Sequence, residues 1–105
     1  MTYPRLHFSY PFDEIEWEVT AKGWYGGVTV ELEDGNRYEV SFIVPVRLSQ
    51  DLESQNDLKN KGFASDSFIA AVGMIVVPEI TETSIRESIQ LLYETGWFKR
   101  FTPLP

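Results

Sequence analysis

From Glu14 to Val19 the chain alternates strictly, with Glu14, Glu16 and Glu18 on one side and Ile15, Trp17 and Val19 on the other. A period of two with one apolar face predicts a half-buried strand. A shorter strand over His7–Tyr10 is expected before it, ended by the turn at Pro11. Alternation returns with Val28, Val30 and Leu32 facing one way and Thr29, Glu31 and Glu33 the other. Asp34-Gly35 then supplies a strong hairpin signal. Past it, Tyr38, Val40, Phe42 and Val44 share one face of a returning strand. Gly27–Glu33 and Arg37–Val44 are therefore the two arms of a predicted hairpin. Ala21–Gly27 breaks the pattern, with Gly23, Gly26 and Gly27 set around Trp24 and Tyr25.

Pro45 ends the returning strand, because it lacks a ladder donor, and it suits the first position of a helix. Val46, Leu48 and Leu52 give that helix a thin apolar stripe through about Glu53, with Asn56–Gly62 as its exit. Phe68–Val72 reads equally as a buried strand or a helical turn. Met74–Val77, apolar at every position and closed by Pro78, predicts an interior strand covered on both faces. The last element has the fullest helix grammar. Thr81 is a plausible N-cap, and Ile80 and Ile85 have the spacing of a hydrophobic staple. Ile85, Ile89 and Leu92 form the stripe. Gly96 fits the left-handed position after the helix, with Trp97 folding back on Leu92. A short strand over Phe98–Thr102 is expected to follow. Together these elements make an α+β fold, a largely antiparallel sheet of four to five strands with two helices packed on one face. A β-rich barrel with peripheral helices is the alternative.

Length changes this picture little. At 105 residues the chain fits one compact domain, and no linker, repeat or low-complexity stretch divides it. Charge changes it more. Sixteen acidic side chains against nine basic ones give a net charge of −7, and the basic residues are scattered. Binding to a nucleic-acid backbone needs a concentrated positive field, so nucleic acid is not an expected partner. A basic protein is, although the charge also serves solubility. The chain has no cysteine, which removes thiolate catalysis, disulfides and Cys-ligated metals and leans toward a reducing compartment. The first residues hold no signal-like apolar run. The longest apolar stretch, Phe68–Val77, is half of what a membrane span requires. The expectation is a soluble, cytoplasmic protein with no membrane attachment.

Candidate chemistry is sparse. His7 is the single histidine and cannot make a multi-histidine metal site. Strand geometry would put Glu14, Glu16 and Glu18 on one face at steps of roughly 7 Å. Such spacing is compatible with paired-carboxylate chemistry but is more simply a solvated face or a surface for a cationic partner. Asp51, Glu53, Asp57 and Asp66 lack the ordered calcium-loop spacing, and the serines lie outside any nucleophile elbow. Gly23-Trp24-Tyr25-Gly26-Gly27 puts bulky rings where a phosphate loop needs close backbone approach. No catalytic residue, metal or cofactor is assigned. The binding candidates are Trp24, Tyr25, Glu14, Glu16, Glu18, Trp97 and Phe98. Trp24 and Tyr25 either fold inward over the core or leave one ring exposed as an interface anchor. Three functional readings follow. The leading one is a small acidic, non-catalytic interaction or regulatory domain that binds a basic protein. The second is a self-associating accessory subunit. The third is a small enzyme using acidic residues with His7 or Tyr25.

Overall fold

The structure is a computed structural model that describes residues 3–62, 69 and 71–105. It has an α+β fold in which four strands and three helices follow the order β1 (Arg5–Phe8), α1 (Phe12–Lys22), β2 (Trp24–Glu31), β3 (Arg37–Ile43), α2 (Pro45–Asn60), β4 (Met74–Val76) and α3 (Glu82–Glu94). A short 3-10 helix, Trp97–Arg100, closes the sequence of elements. The sheet order is β1-β2-β3-β4. The first three strands pair antiparallel and β4 joins β3 in parallel. Of the 68–72 stretch, whose type the sequence left open, Phe68 and Ala70 lie outside the described residues, and the others belong to no strand or helix.

The hairpin forms as its alternation requires. Val28 pairs with Val40 and Val30 with Tyr38, which puts all four on one face. Phe8 and Leu6 extend that face across β1. Gly35 takes φ of 85° in a loop closed by Leu32 N–H to Asn36 O at 2.9 Å. Val28, Val30, Val40 and Phe42 are buried against Ile85 and Ile89 of α3, Phe12 and Val19 of α1, and Phe98. At about 25 cal/mol per Å² of apolar surface removed from water, such residues dominate the folding energy. α3 begins as its sequence grammar predicts. Thr81 Oγ1 accepts from Ser84 N–H at 3.0 Å, and Ser84 Oγ accepts from Thr81 N–H at 2.9 Å. Ile80 and Ile85 are both buried at the staple positions. At the other end Gly96 is left-handed, with φ of 76°. Its N–H donates to Tyr93 O at 3.1 Å, and the Thr95 hydroxyl satisfies Leu92 O at 3.0 Å.

Four expectations are corrected. The Glu14–Val19 alternation is not a strand but the body of α1. Pro11 precedes the helix, Asp13 and Glu14 occupy its first turn, and left-handed Gly23, with φ of 69°, ends it. Phe12, Ile15 and Val19 fall three and four residues apart, and this helical stripe, rather than the alternation, faces the core. The helix after Pro45 does not stop near Glu53 but continues to Asn60, with Arg47–Asp51 and Asp57–Lys61 pairs four residues apart at 2.9 Å. β4 is an edge strand and not an interior one, and Val76 on its outer side is 49% exposed. Its apolarity serves the inward Ile75 and the buried Val77 and Ile80 that follow. Finally, Phe98–Thr102 forms no strand. The 3-10 helix turns Phe98 into the core, and Leu104 N–H reaches Arg37 O at 2.7 Å.

Candidate functional site

The glycine-aromatic segment opens β2, and a register shift between Tyr25 and Val28 marks a bulge there. Tyr25 pairs with Phe42 and points into the core. Its ring stacks 6.5 Å from Phe8 and meets Phe12 edge-on at 5.4 Å. Burial pushes its phenol pKa up. Trp24, one residue earlier, faces outward and is 45% exposed. Both rings lie back over the bulge. A Cβ on Gly26 would come within 2.6 Å of the Trp24 ring, and one on Gly27 within 2.9 Å of the Tyr25 hydroxyl. The two glycines are thus required by close approach, since neither has a positive φ. A cleft of about 350 Å³ separates this segment from α1, walled by Tyr10, Ile15, Val19, Trp24 and Tyr25. The Lys22–Glu18 pair, at 2.6 Å, closes its rim.

Recasting Asp13–Val19 as a helix redistributes its acids. Glu18 lines the cleft, Glu14 shares its side of α1 one turn earlier and beyond the cleft, and Glu16 falls on another side. Trp17, counted with the apolar side of the alternation, instead faces solvent at 75% exposure. It lies one turn from Asp13 and Glu14, at spacings of four and three. The carboxylates of Asp13, Glu14 and Glu16 have no ion-pair or hydrogen-bond partner among the described residues. An exposed indole framed by unpaired acids is therefore the main feature that sequence reasoning missed. Its signal was present in the three-and-four spacing of Phe12, Ile15 and Val19, which places residue 17 on the opposite side.

The second aromatic pair separates in a similar way. Phe98 is a core residue, 5.3 Å from Tyr38. Trp97 is half-buried between Phe98 at 5.1 Å and Phe101 at 4.3 Å. These rings wall a cavity of about 220 Å³ that Val40, Val72 and Leu104 complete. His7 lies elsewhere, on the outward face of the sheet, with Nε2 2.8 Å from Glu31 Oε1. That hydrogen bond is the main reason the Glu31 carboxyl lies below its ordinary pKa; desolvation, the next largest effect, opposes it, and the charges of Arg37, His7 and Arg5 add smaller lowering effects. Among the described residues no charged side chain is buried and no three potential ligands gather into a metal site. None of their helices is long and apolar enough to cross a membrane. The structure brings Trp24, Tyr25 and Glu18 together at one cleft, leaves Glu14 and Glu16 on the helix beyond it, and puts Trp97 and Phe98 at the other cavity.

No protein-family model matches the chain, and no match was found among curated proteins or solved structures. The arrangement offers ring faces, apolar area and uncompensated negative charge, which together suit capture of a cationic surface.

Proposed function

We propose that the chain is a small acidic, non-catalytic interaction domain of the cytoplasm that binds a basic protein partner through the outer side of α1. The observation that carries this reading is Trp17, 75% exposed and framed by the unpaired carboxylates of Asp13 and Glu14, one turn earlier on the same side of α1. Tryptophan is among the residues most enriched at interface hot spots. Lysine or arginine over its ring gains about 0.5–1 kcal/mol at exposed sites, and more once water is excluded. The surrounding acids contribute to orientation and encounter rate, aided by the overall charge of −7.

The test is an affinity capture from source-cell lysate with tagged wild type, a Trp17→Ala variant and an Asp13→Asn/Glu14→Gln variant. Trp17→Ala, at an exposed position, should move stability by no more than about 0.5 kcal/mol, and the double variant, which takes two acids from the first turn of α1, by about 0.3–1 kcal/mol for each, checked by thermal melts. Wild type should retain a basic protein in stoichiometric amount. Trp17→Ala should weaken the purified complex by about thirtyfold, a hot-spot loss of about 2 kcal/mol. The double variant should chiefly slow association and flatten its salt dependence. An acidic or neutral partner, or a basic one bound equally by all three proteins, would remove this reading. A bait that returns alone and sediments as a dimer would replace it with self-association.

A further inference from the structure

The cleft between α1 and the start of β2 has a volume of about 350 Å³, room for one aromatic side chain. Its walls are the rings of Tyr10, Trp24 and Tyr25 and the branched side chains of Ile15 and Val19. Tyr25 is buried, whereas Tyr10 is 66% exposed and Trp24 is half open to solvent, so two of the rings are free to close on an occupant. The charged groups that line it among the described residues, Glu18 and Lys22, neutralise each other at 2.6 Å. The cleft therefore offers apolar and aromatic surface and selects for neither sign of charge.

The cleft and Trp17 are the two ends of one band around α1. At 3.6 residues per turn each residue advances about 100°, which places Glu14 about 60° from Trp17, Glu18 about 100°, and the cleft residues Lys22 and Ile15 about 140–160°, all in the same direction. From the indole the band runs over the unpaired carboxylate of Glu14, then the Glu18–Lys22 pair, and ends at the apolar walls. On a helix about 10–12 Å across, its ends lie about 12–16 Å apart along the surface. Four residues of extended chain, at about 3.3 Å each, cover that distance.

We infer, resting on the proposed Trp17 surface, that its basic partner carries an aromatic side chain three or four residues from the lysine or arginine, and that this side chain fills the cleft. The base meets the Trp17 ring and the carboxylates of Asp13 and Glu14, and the segment then crosses α1 past Glu18. The aromatic side chain leaves water for the space between Tyr10 and Trp24. Burial there supplies affinity that salt does not screen, whereas the exposed charge contact weakens as ionic strength rises. Charge thus draws the partner to α1, and the cleft selects among basic segments by what lies beside the base.

The test titrates ¹⁵N-labelled protein with acetyl-Arg-Arg-Ala-Ser-Phe-amide, with the same peptide ending in Ala, and with acetyl-Glu-Glu-Ala-Ser-Phe-amide. The Arg–Phe peptide should shift the indole N–H signals of Trp17 and Trp24 together. It should bind at least about tenfold more tightly than its Ala counterpart, through burial of the Phe ring. The Glu–Phe peptide should bind at least about fivefold more weakly than the Arg–Phe peptide. Tyr10→Ala and Trp24→Ala, at exposed positions where the melt should stay near that of wild type, should each bring the two Arg peptides within about threefold of one another. Trp17→Ala should weaken both Arg peptides alike. Equal binding of the two Arg peptides, with shifts confined to the Trp17 side of α1, would overturn the cleft contact and leave the Trp17 surface standing. A Phe preference kept at full affinity in Trp17→Ala would overturn the Trp17 surface while upholding the cleft contact. No shift of either indole at millimolar peptide, with the protein folded, would overturn the proposal.

Discussion

Gly26 and Gly27 are adjacent and chemically identical, yet the rings above them differ in freedom. The atoms that a Cβ on Gly26 would meet are the far end of the Trp24 ring, which is half open to solvent. The atoms above Gly27 belong to Tyr25, whose ring is fixed by Phe8 and Phe12. Gly26→Ala can therefore be accommodated by swinging Trp24 away, at a cost below about 1 kcal/mol. Gly27→Ala must push a packed ring, and overpacking of that kind costs about 1–3 kcal/mol. Urea melts of the two variants should separate by that margin; equal costs would mean that Tyr25 is as mobile as Trp24. The sequence makes the need for small residues beside two rings visible. It does not show which ring turns inward, because the bulge resets the alternation between Tyr25 and Val28. The direction of Trp17 was hidden for a related reason. An alternating string carries a strand pattern on its face while still containing a helical stripe, and only the flanking Pro11 and Gly23 tilt the choice toward a helix.

Among the elements, those whose evidence is local were legible. The hairpin is specified by neighbouring alternation and its turn, and α3 by its cap, staple and terminal glycine. The reciprocal partner of Thr81 is Ser84 rather than the usual Glu or Gln, so the capping box itself was easy to overlook. Its contribution is measurable. Thr81→Ala removes the acceptor for Ser84 N–H, leaves the Ser84 hydroxyl with Glu79 O and Thr81 O, and should cost about 1 kcal/mol. Thr81→Asp keeps an acceptor at that place and adds a charge suited to the positive helix end, so it should recover most of the loss. Thermal melts of the pair test the cap directly, and a Thr81→Ala variant as stable as wild type would show that the buried Ile80–Ile85 positions define the helix start alone. β4 was misread because edge position is a property of strand order, which no local pattern in Met74–Val77 encodes. The acidic α1 surface and the aromatic cavity beside Trp97 were legible only in part for the same reason. Trp24, Trp97 and the carboxylates stand out in the sequence, but their grouping depends on contacts between distant segments.

At the scale of the whole molecule, α1, α3 and the 3-10 helix supply the buried residues that pack on the inner face of the sheet, while α2 supplies none. The molecule extends 52 × 30 × 22 Å, with a radius of gyration of 15.3 Å against about 13 Å for a typical 100-residue domain. Most helical stability in proteins comes from packing of an apolar face, and a helix of this length without such packing is marginal in water. α2 has among its supports Pro45 at its start, a hydrogen bond from Arg47 Nη1 to Lys22 O at 2.8 Å that ties its first turns to the end of α1, and the Arg47–Asp51 and Asp57–Lys61 pairs, which as exposed interactions contribute only about 0.3–0.5 kcal/mol each. Its amides should accordingly exchange with solvent through local opening, well before those of Ile85 and Ile89, whose exchange requires global unfolding. Hydrogen exchange followed by NMR should give α2 protection at least about a hundredfold below that of α3. Equal protection would require α2 to be covered in solution, and concentration dependence would then identify the cover. Protection that falls on dilution assigns it to a second copy of the chain, whereas protection that persists assigns it to packing within one chain.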